Sequence, residues 1–559
     1  MAVEAGTPTL AALLPPIPLR RRLYGFGSIY GKTVRDSRLA FIVITGVLVG
    51  MMLAAGAAMK DVFPTPESRS GVDTLIASIP ASMAGLFGNP VKVGTLPGVI
   101  NWKYGPFFAL GAGLWSILAL SSTLAGEARR GSLDFVAAAP FGKRRVALEK
   151  LAAHLTMMGL SIAMLALAAW ATAAAFGDAA LGDAIPPEAA IGFALWVGLL
   201  ALAFGGLAFA LAPVLGRAGA AGVAGAAMVV GWVANGYAAL DVIAILSPFH
   251  WTAGQAAIVG VYDWPSLALT AVVASVLLAV GVELFARRDL GVTAGLSAPG
   301  LPAGTLGIHG PAGRSFGEQL PRALAWGVGL GLLGLMLASL VGSLAGEFVN
   351  QPQFMDLFRT LFPDYDVTTA GGFLQLYAQM LFIIAGYAGA TFVGKWASDE
   401  SDGRLEMLLA TPLARARWVI AGGAGAFGAV VVMTVLIAIG IGVGAASSGV
   451  EAGGAMAGST ALGVYALAVV GVGVAVGGLW RTSLAAEIAA ALVTATFLVD
   501  LLAPPLKLPE WFHRLALTAN MGQPMVGTWD VGGIVACLVL AAGGVVVGAW
   551  GITRRDVSG

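Results

Sequence analysis

The chain has 559 residues, 58% of them hydrophobic and only 11% charged, with a formal net charge of +1. Soluble domains carry about 25% charged residues, so this composition excludes an ordinary soluble globule and a disordered chain together. The near-zero charge makes no case for nucleic-acid binding.

A bilayer core about 30 Å thick takes about 20 apolar residues per helix, and that ruler, run along the chain, finds twelve spans. Ahead of the first lie residues 1–38, where Pro15, Pro16 and Pro18 break the greasy stretch, so no cleaved signal peptide is predicted. The stretch Leu23-Tyr-Gly-Phe-Gly-Ser-Ile-Tyr-Gly-Lys-Thr-Val-Arg interleaves aromatic and basic residues, as an elbow helix at the bilayer interface does. Its Gly27-Ser-Ile-Tyr-Gly-Lys-Thr only imitates a phosphate-binding loop. That loop needs four residues before its Gly-Lys, whereas three separate Gly27 from Gly31, and Phe26 stands where the glycine belongs.

Spans one to six are expected near Leu39–Ala58, Phe107–Ala125, Ala152–Phe176, Ala189–Val214, Ala218–Leu240 and Ser266–Ala286. A Gly- and Pro-rich linker with no apolar periodicity follows. It leads through a weaker elbow, Ser315-Phe-Gly-Glu-Gln-Leu-Pro-Arg, into the second set. Spans seven to twelve are expected near Ala323–Ala345, Gly372–Ala397, Trp418–Val443, Met456–Trp480, Ser483–Ala503 and Val531–Ile552. The expected organisation is an elbow over 1–38, a six-helix half over 39–290, a linker and second elbow over 291–322, and a second half over 323–559. With both termini in the cytoplasm, 24 of the 31 Lys and Arg residues fall inside, as the positive-inside rule requires.

The chain repeats itself. Glu127-Ala-Arg-Arg-Gly-Ser-Leu-Asp after span two is matched, 272 residues on, by Asp399-Glu-Ser-Asp-Gly-Arg-Leu-Glu after span eight. Pro140 and Pro412 follow at the same distance, and then Lys143-Arg-Arg and Arg415-Ala-Arg. Phe285-Ala-Arg-Arg-Asp-Leu-Gly and Ile552-Thr-Arg-Arg-Asp-Val-Ser-Gly close the halves, and His250-Trp-Thr-Ala-Gly-Gln and Leu517-Thr-Ala-Asn-Met-Gly-Gln precede their last spans. Six spans per half is an even number, so the halves enter the membrane in the same sense, as parallel repeats.

The Glu-x-x-x-Gly-x-Leu-acid segment, the following proline and the basic cluster resemble the signature of ABC-2 type permeases, the membrane subunits of ATP-driven exporters. The resemblance covers both halves and is to the fused permeases of bacterial antibiotic and multidrug exporters, including the polyketide (tetronasin-like) group. It implies a multi-pass protein of the bacterial plasma membrane that moves a small hydrophobic or amphipathic compound outward. It also implies two copies of a separate ABC ATPase subunit, which hold the ATP and Mg, with no cofactor on this chain. Carried over by position, the coupling residues are Glu127, Arg130, Gly131, Leu133 and Pro140, then Asp399, Gly403, Leu405, Glu406 and Pro412. Asp402 stands where the first copy has Arg130, so the two docking contacts are expected to differ.

Size agrees with a separate motor. The longest segments outside the spans, 61–105 and 287–322, are below the 50–250 residues of a usual domain. One cysteine, Cys537, allows no internal disulfide. Four scattered histidines, His154, His250, His309 and His513, give no metal-ligand spacing and no triad, so the chain is expected to be a transporter subunit and not an enzyme.

Intramembrane polar residues mark transport paths because they are costly in lipid. In the resembled family spans two and five of each half line the path, here two, five, eight and eleven. The candidates are Trp115, Trp232, Asn235, Tyr237, Gln375, Tyr377, Gln379, Met380, Phe382 and Phe497, the aromatic and Met surfaces suiting apolar cargo. Interfacial belts and packing account for the same aromatics equally well. Asp241 and Asp500, near the outer ends of spans five and eleven, are either interface caps or part of an exit gate. A proton-coupled secondary drug transporter with twelve helices is the alternative; it would bury titratable groups at mid-membrane, where these spans carry almost none.

Overall fold

The computed structural model describes residues 28–62, 65–69, 88–123, 142–235, 241–287, 310–349, 369–503 and 508–555. They form an all-α polytopic membrane protein, as the composition predicts. With no water in hydrocarbon, backbone N–H and C=O groups must pair within the segment, which the helix achieves.

Eleven described helices are long and apolar enough to cross a bilayer. Spans one to four are Ile29–Lys60, Leu96–Thr123, Lys143–Phe176 and Pro187–Arg217, and span six is Trp264–Arg287. Spans seven to twelve are Gly310–Ser339, Ala378–Glu400, Arg415–Ser447, Gly453–Leu479, Thr482–Leu502 and Val531–Arg554. The expected twelfth, span five, is the shorter apolar helix Gly219–Ala234. Gly216, at φ 71° and ψ 178°, turns the chain sharply before it, and residues 236–240 lie outside those described. Glycine supplies that positive φ without a Cβ clash.

The described part of each elbow continues straight into a span; residues 1–27 lie outside those described. The first is the opening of the continuous helix Ile29–Val62, and the second opens Gly310–Val349 despite the internal Pro321. Residues 315 and 316 already lie against Gly425 of span nine, so this stretch packs lengthwise on a neighbour.

Packing follows one pattern in both sets. Span one lies on span three and span four on spans two and six; likewise span seven lies on nine and span ten on eight and twelve. Among the described residues the main contact between the sets is span one with span eleven, where Gly50 faces Leu498 and Leu502. Lipid gives no hydrophobic drive for helix association, so close backbone approach through small residues supplies the attraction. A Cβ on Gly440 would sit 2.0 Å from the Gly331 carbonyl, and one on Gly478 2.1 Å from that of Gly548.

Turns at the end away from the signature loops also repeat. Residues 257–259 and 524–526 form single 3₁₀ turns, each closed by a glycine of positive φ, Gly260 and Gly527. Asp263 and Asp530 then accept from the backbone N–H of Ser266 and Gly533, capping spans six and twelve. Span two enters through a π-helical turn, Ile100–Tyr104, just before Pro106. Proline lacks an N–H and crowds the carbonyl four residues back, which accounts for the wider turn.

Adjacent glycines of span twelve test the packing argument. A Cβ on Gly544 would meet the Gly471 carbonyl at 2.2 Å, while one on Gly543 meets nothing. Gly544→Ala should lower stability by about 1–3 kcal/mol, as overpacking does, and Gly543→Ala should be neutral or slightly stabilising. Thermal melting of the detergent-solubilised protein reads both.

Candidate functional site

The second signature is described in full; the first is not. Glu127, Arg130, Gly131, Leu133 and Pro140 lie outside the described residues, as does Tyr237. Span eight ends at Ser401, Gly403 adopts φ 70°, and the short helix Arg404–Leu409 follows. The invariant spacing between the repeats thus has a local reason here: a left-handed glycine reverses the chain, and a short helix then crosses the bundle end. Leu405 is fully buried and seats the helix, while Gly403, Glu406, Met407 and Pro412 are exposed along its outer edge.

Asp399 is placed differently from the expectation that it meets a partner. It is 8% exposed and turned into the protein. Its Oδ2 accepts from Trp418 Nε1 at 3.3 Å, and its Oδ1 lies 3.7 Å from Arg314 and 3.8 Å from Arg404. Glu318 bridges Arg314 and Lys395 at 2.9 and 2.8 Å. Lys395 and Asp399, one helical turn apart on span eight, therefore both face the start of span seven. The rings of Trp396 and Trp418 stack at 4.9 Å. A small cavity of about 40 Å³ lies among these residues.

Glu400 makes a second anchor. Its Oε2 accepts from Arg555 at 2.6 Å and from Thr482 at 2.7 Å. Arg555 also donates to the Trp480 carbonyl, and Arg415 donates to the carbonyl of Arg555. Arg555, from the second of the two Arg-Arg-Asp endings, is thus a clamp joining spans eight, nine, ten, eleven and twelve at one end. The sequence signals for these contacts were the i, i+4 pair Arg314/Glu318 and that repeated ending, neither of which indicates its partner.

In the first half the bundle end is held otherwise. Buried Lys150 donates to the Thr123 carbonyl at 3.0 Å, at the end of span two. A cation there also favours the negative end of the helix dipole. Arg144 and Arg287 both approach Glu283, and the Tyr30 N–H donates to Glu149.

The expected path residues do not converge. Trp115 is buried edge-on against His154, whose Nε2 lies 3.0 Å from Ser116 Oγ. Trp232 packs on Phe107, Tyr377 on Phe373 and Phe382 on Tyr465, all in the helix interior. Gln375 and Gln379 are not on one helix, because Tyr377 interrupts it at φ −99°, ψ 3°. Gln375 accepts from the Met525 N–H at 3.1 Å and so holds the turn before span twelve. Gln379 is exposed, and Met380, Asn235 and Phe497 are half-buried.

The two outer acids diverge as well. Asp241 is exposed in the first turn of a four-residue helix. Asp500 is buried, 2.9 Å from His513 Nε2, and accepts from Thr518 Oγ1 at 2.8 Å, which straps the loop after span eleven to the span itself. In the first half a different buried acid, Asp183 between spans three and four, pairs with Arg69 at 2.7 Å and accepts from the Leu96 N–H at 2.8 Å.

Residues 308–552 match the family model described as the C-terminal domain of the multidrug efflux system permease Rv1217c. The chain is 27% identical over 376 residues to the multidrug efflux system permease protein Rv1217c of Mycobacterium tuberculosis (strain ATCC 25618 / H37Rv). The match covers 65% of this chain and 64% of that relative, just under two thirds of its length. Eleven apolar spans and this likeness support a multi-pass protein of the bacterial plasma membrane.

The Glu400 anchor can be checked directly. Arg555→Ala leaves a part-buried carboxylate without its cation, which costs about 1–3 kcal/mol. Glu400→Gln with Arg555→Ala removes the stranded charge and should recover part of the loss in a melting experiment.

Proposed function

We propose that this chain is the permease of a multidrug exporter, with two fused six-span halves moved by two copies of a separate ABC ATPase subunit. The observation that carries this reading is the exposed edge of the helix Arg404–Leu409, seated by Leu405 on a rigid bundle end. Such an edge offers a docking surface of Gly403, Glu406, Met407 and Pro412, and the segment is repeated in sequence around Glu127, Gly131 and Pro140. The likeness to a multidrug efflux permease supports the cargo class. On this reading the signature end faces the cytoplasm, the motor subunits hold ATP and Mg, and cargo passes between the halves.

The cargo surface is then drawn from the exposed Gln379 and the half-buried Asn235, Met380 and Phe497 of spans five, eight and eleven. Apolar walls with a few polar groups to fix orientation suit an amphipathic compound. The buried aromatics Trp115, Trp232, Tyr377 and Phe382 act as support behind that surface.

Purified alone, the chain should show no Mg-ATP turnover; with the ATPase subunit from its own operon or genome it should form a complex whose turnover rises with cargo. Glu406→Ala, at an exposed interface position, should weaken that complex by about 1–3 kcal/mol. Loss of efflux when ATP is depleted with the proton gradient intact supports this reading. Loss on collapsing the gradient with ATP intact would replace it with a proton-coupled carrier, for which the buried His154–Ser116 pair would be the starting point.

Gln379→Leu separates cargo from machinery. Resistance to the more polar compounds of a drug panel should fall while that to the most apolar holds, because only polar cargo loses a partner. An unchanged ranking would remove Gln379 from the path.

A further inference from the structure

The Asp399 cluster holds features that a solvated turn does not need. Asp399 Oδ1 is buried and accepts no hydrogen bond, although two guanidinium groups stand 3.7 and 3.8 Å away. Those distances are beyond hydrogen bonding but within ion pairing. Gln319 is buried with its Oε1 unpartnered, while its Nε2 donates to the Phe392 carbonyl of span eight at 2.9 Å. Arg404 opens the short helix and Arg314 lies in the opening turns of span seven. One carboxylate therefore stands between the proposed docking helix and a membrane span, with a small cavity beside it into which side chains can shift.

The sequence of the first half differs at the positions that surround Asp399. At the repeat distance of 272, Lys395 corresponds to Thr123 and Trp418 to Val146. Aligning Gly317 with Gly31 puts Ser28 opposite Arg314 and Lys32 opposite Glu318. The cation and the acid of the second half have no like-charged counterparts at those positions.

We propose that Asp399 is a positioning residue that ties the Arg404–Leu409 helix to span seven through Arg404 and Arg314, making the second half the one whose docking helix is coupled directly to its opening span. The coupling role rests on the function proposed above; the latch itself does not. A shift of well under 1 Å brings either guanidinium into hydrogen-bonding range of Oδ1. Movement of the helix is thereby passed to span seven, and through the close glycine contacts to span nine. Asp399 acts from inside, and Glu406 and Met407 meet the partner.

The test uses Arg314→Gln, Asp399→Asn, the double variant and Arg314→Lys, each in the full chain. Hydrogen–deuterium exchange of amides 404–413 in the isolated, detergent-solubilised protein should rise about tenfold in each of the first two, as loss of a charge-assisted contact gives. The double variant should exchange no faster than either single one, and Arg314→Lys should restore most protection with an unchanged melting temperature. In the complex, Arg314→Gln should leave co-purification and basal ATP turnover intact and lower cargo-stimulated turnover. Unchanged exchange in Arg314→Gln, additive effects, or loss of co-purification with Asp399→Asn alone would overturn the latch. Failure of the unmodified chain to bind any ATPase subunit would instead overturn the proposed function, and the exchange result would still decide the latch.

Discussion

Hydrocarbon offers no hydrogen-bond partner, and the rest of the structure depends on that. Along the spans it leaves almost only apolar and small residues, so attraction between helices comes from contact and not from the expulsion of water. The spans touch backbone to backbone, as Gly331 with Gly440 and Gly478 with Gly548 do. Polar groups that remain inside the membrane are spent on each other: Thr45 donates to Ser161, and Ser116 meets His154. Charge is displaced to the two ends of the bundle, where it works as fastening.

The fastenings are where the two halves part company. At the signature end the first half caps span two with Lys150, a cation on a backbone carbonyl. The second half uses side-chain ion pairs among Arg314, Glu318, Lys395 and Asp399, and a further clamp of Glu400 with Arg555. A carbonyl cap holds one helix end, whereas a carboxylate between two cations can pass from one to the other as elements shift. The packing pattern of the spans recurs in the two sets, while the described contacts that fasten their signature ends differ. At the far end both halves use one buried acid, Asp183 or Asp500, to strap a loop to the bundle.

Much of this was legible because membrane helices announce themselves by length and apolarity. Eleven spans overlap those the ruler predicts, and the helix of span five begins where predicted, just after the turn at Gly216. The short helix after Gly403 was legible as a repeated motif. Side-chain destinations were not. Asp399 and Glu406 are both signature acids, yet one points inward and the other outward, because they sit on different helices: Asp399 ends span eight, while Glu406 follows Leu405, which seats the short helix beyond Gly403. Gln375 and Gln379 looked like one face of span eight until the break at Tyr377 separated them. Aromatics in a bilayer serve packing and binding with the same chemistry, so Trp115 and Trp232 carried no sign of which role they held.

Packing also bears on how such a bundle can move. In the second set the spans lie so close at glycines that sliding one past another would drive carbonyl oxygens into Cα atoms, whereas the first-set glycines Gly56, Gly113, Gly205 and Gly281 meet side chains instead. Between the sets the contact of spans one and eleven is made by Gly50 against the flexible ends of Leu498 and Leu502. Leucine rotamers interchange at little cost, whereas a backbone-to-backbone seam has no alternative arrangement of similar energy. Motion that opens a passage is therefore cheaper between the sets than within the second set. On the function proposed here, a push on the Arg404–Leu409 helix would tilt its half as a body. The fastenings around Asp399 and Glu400 are placed so that the push reaches the spans before it can simply unwind the loop.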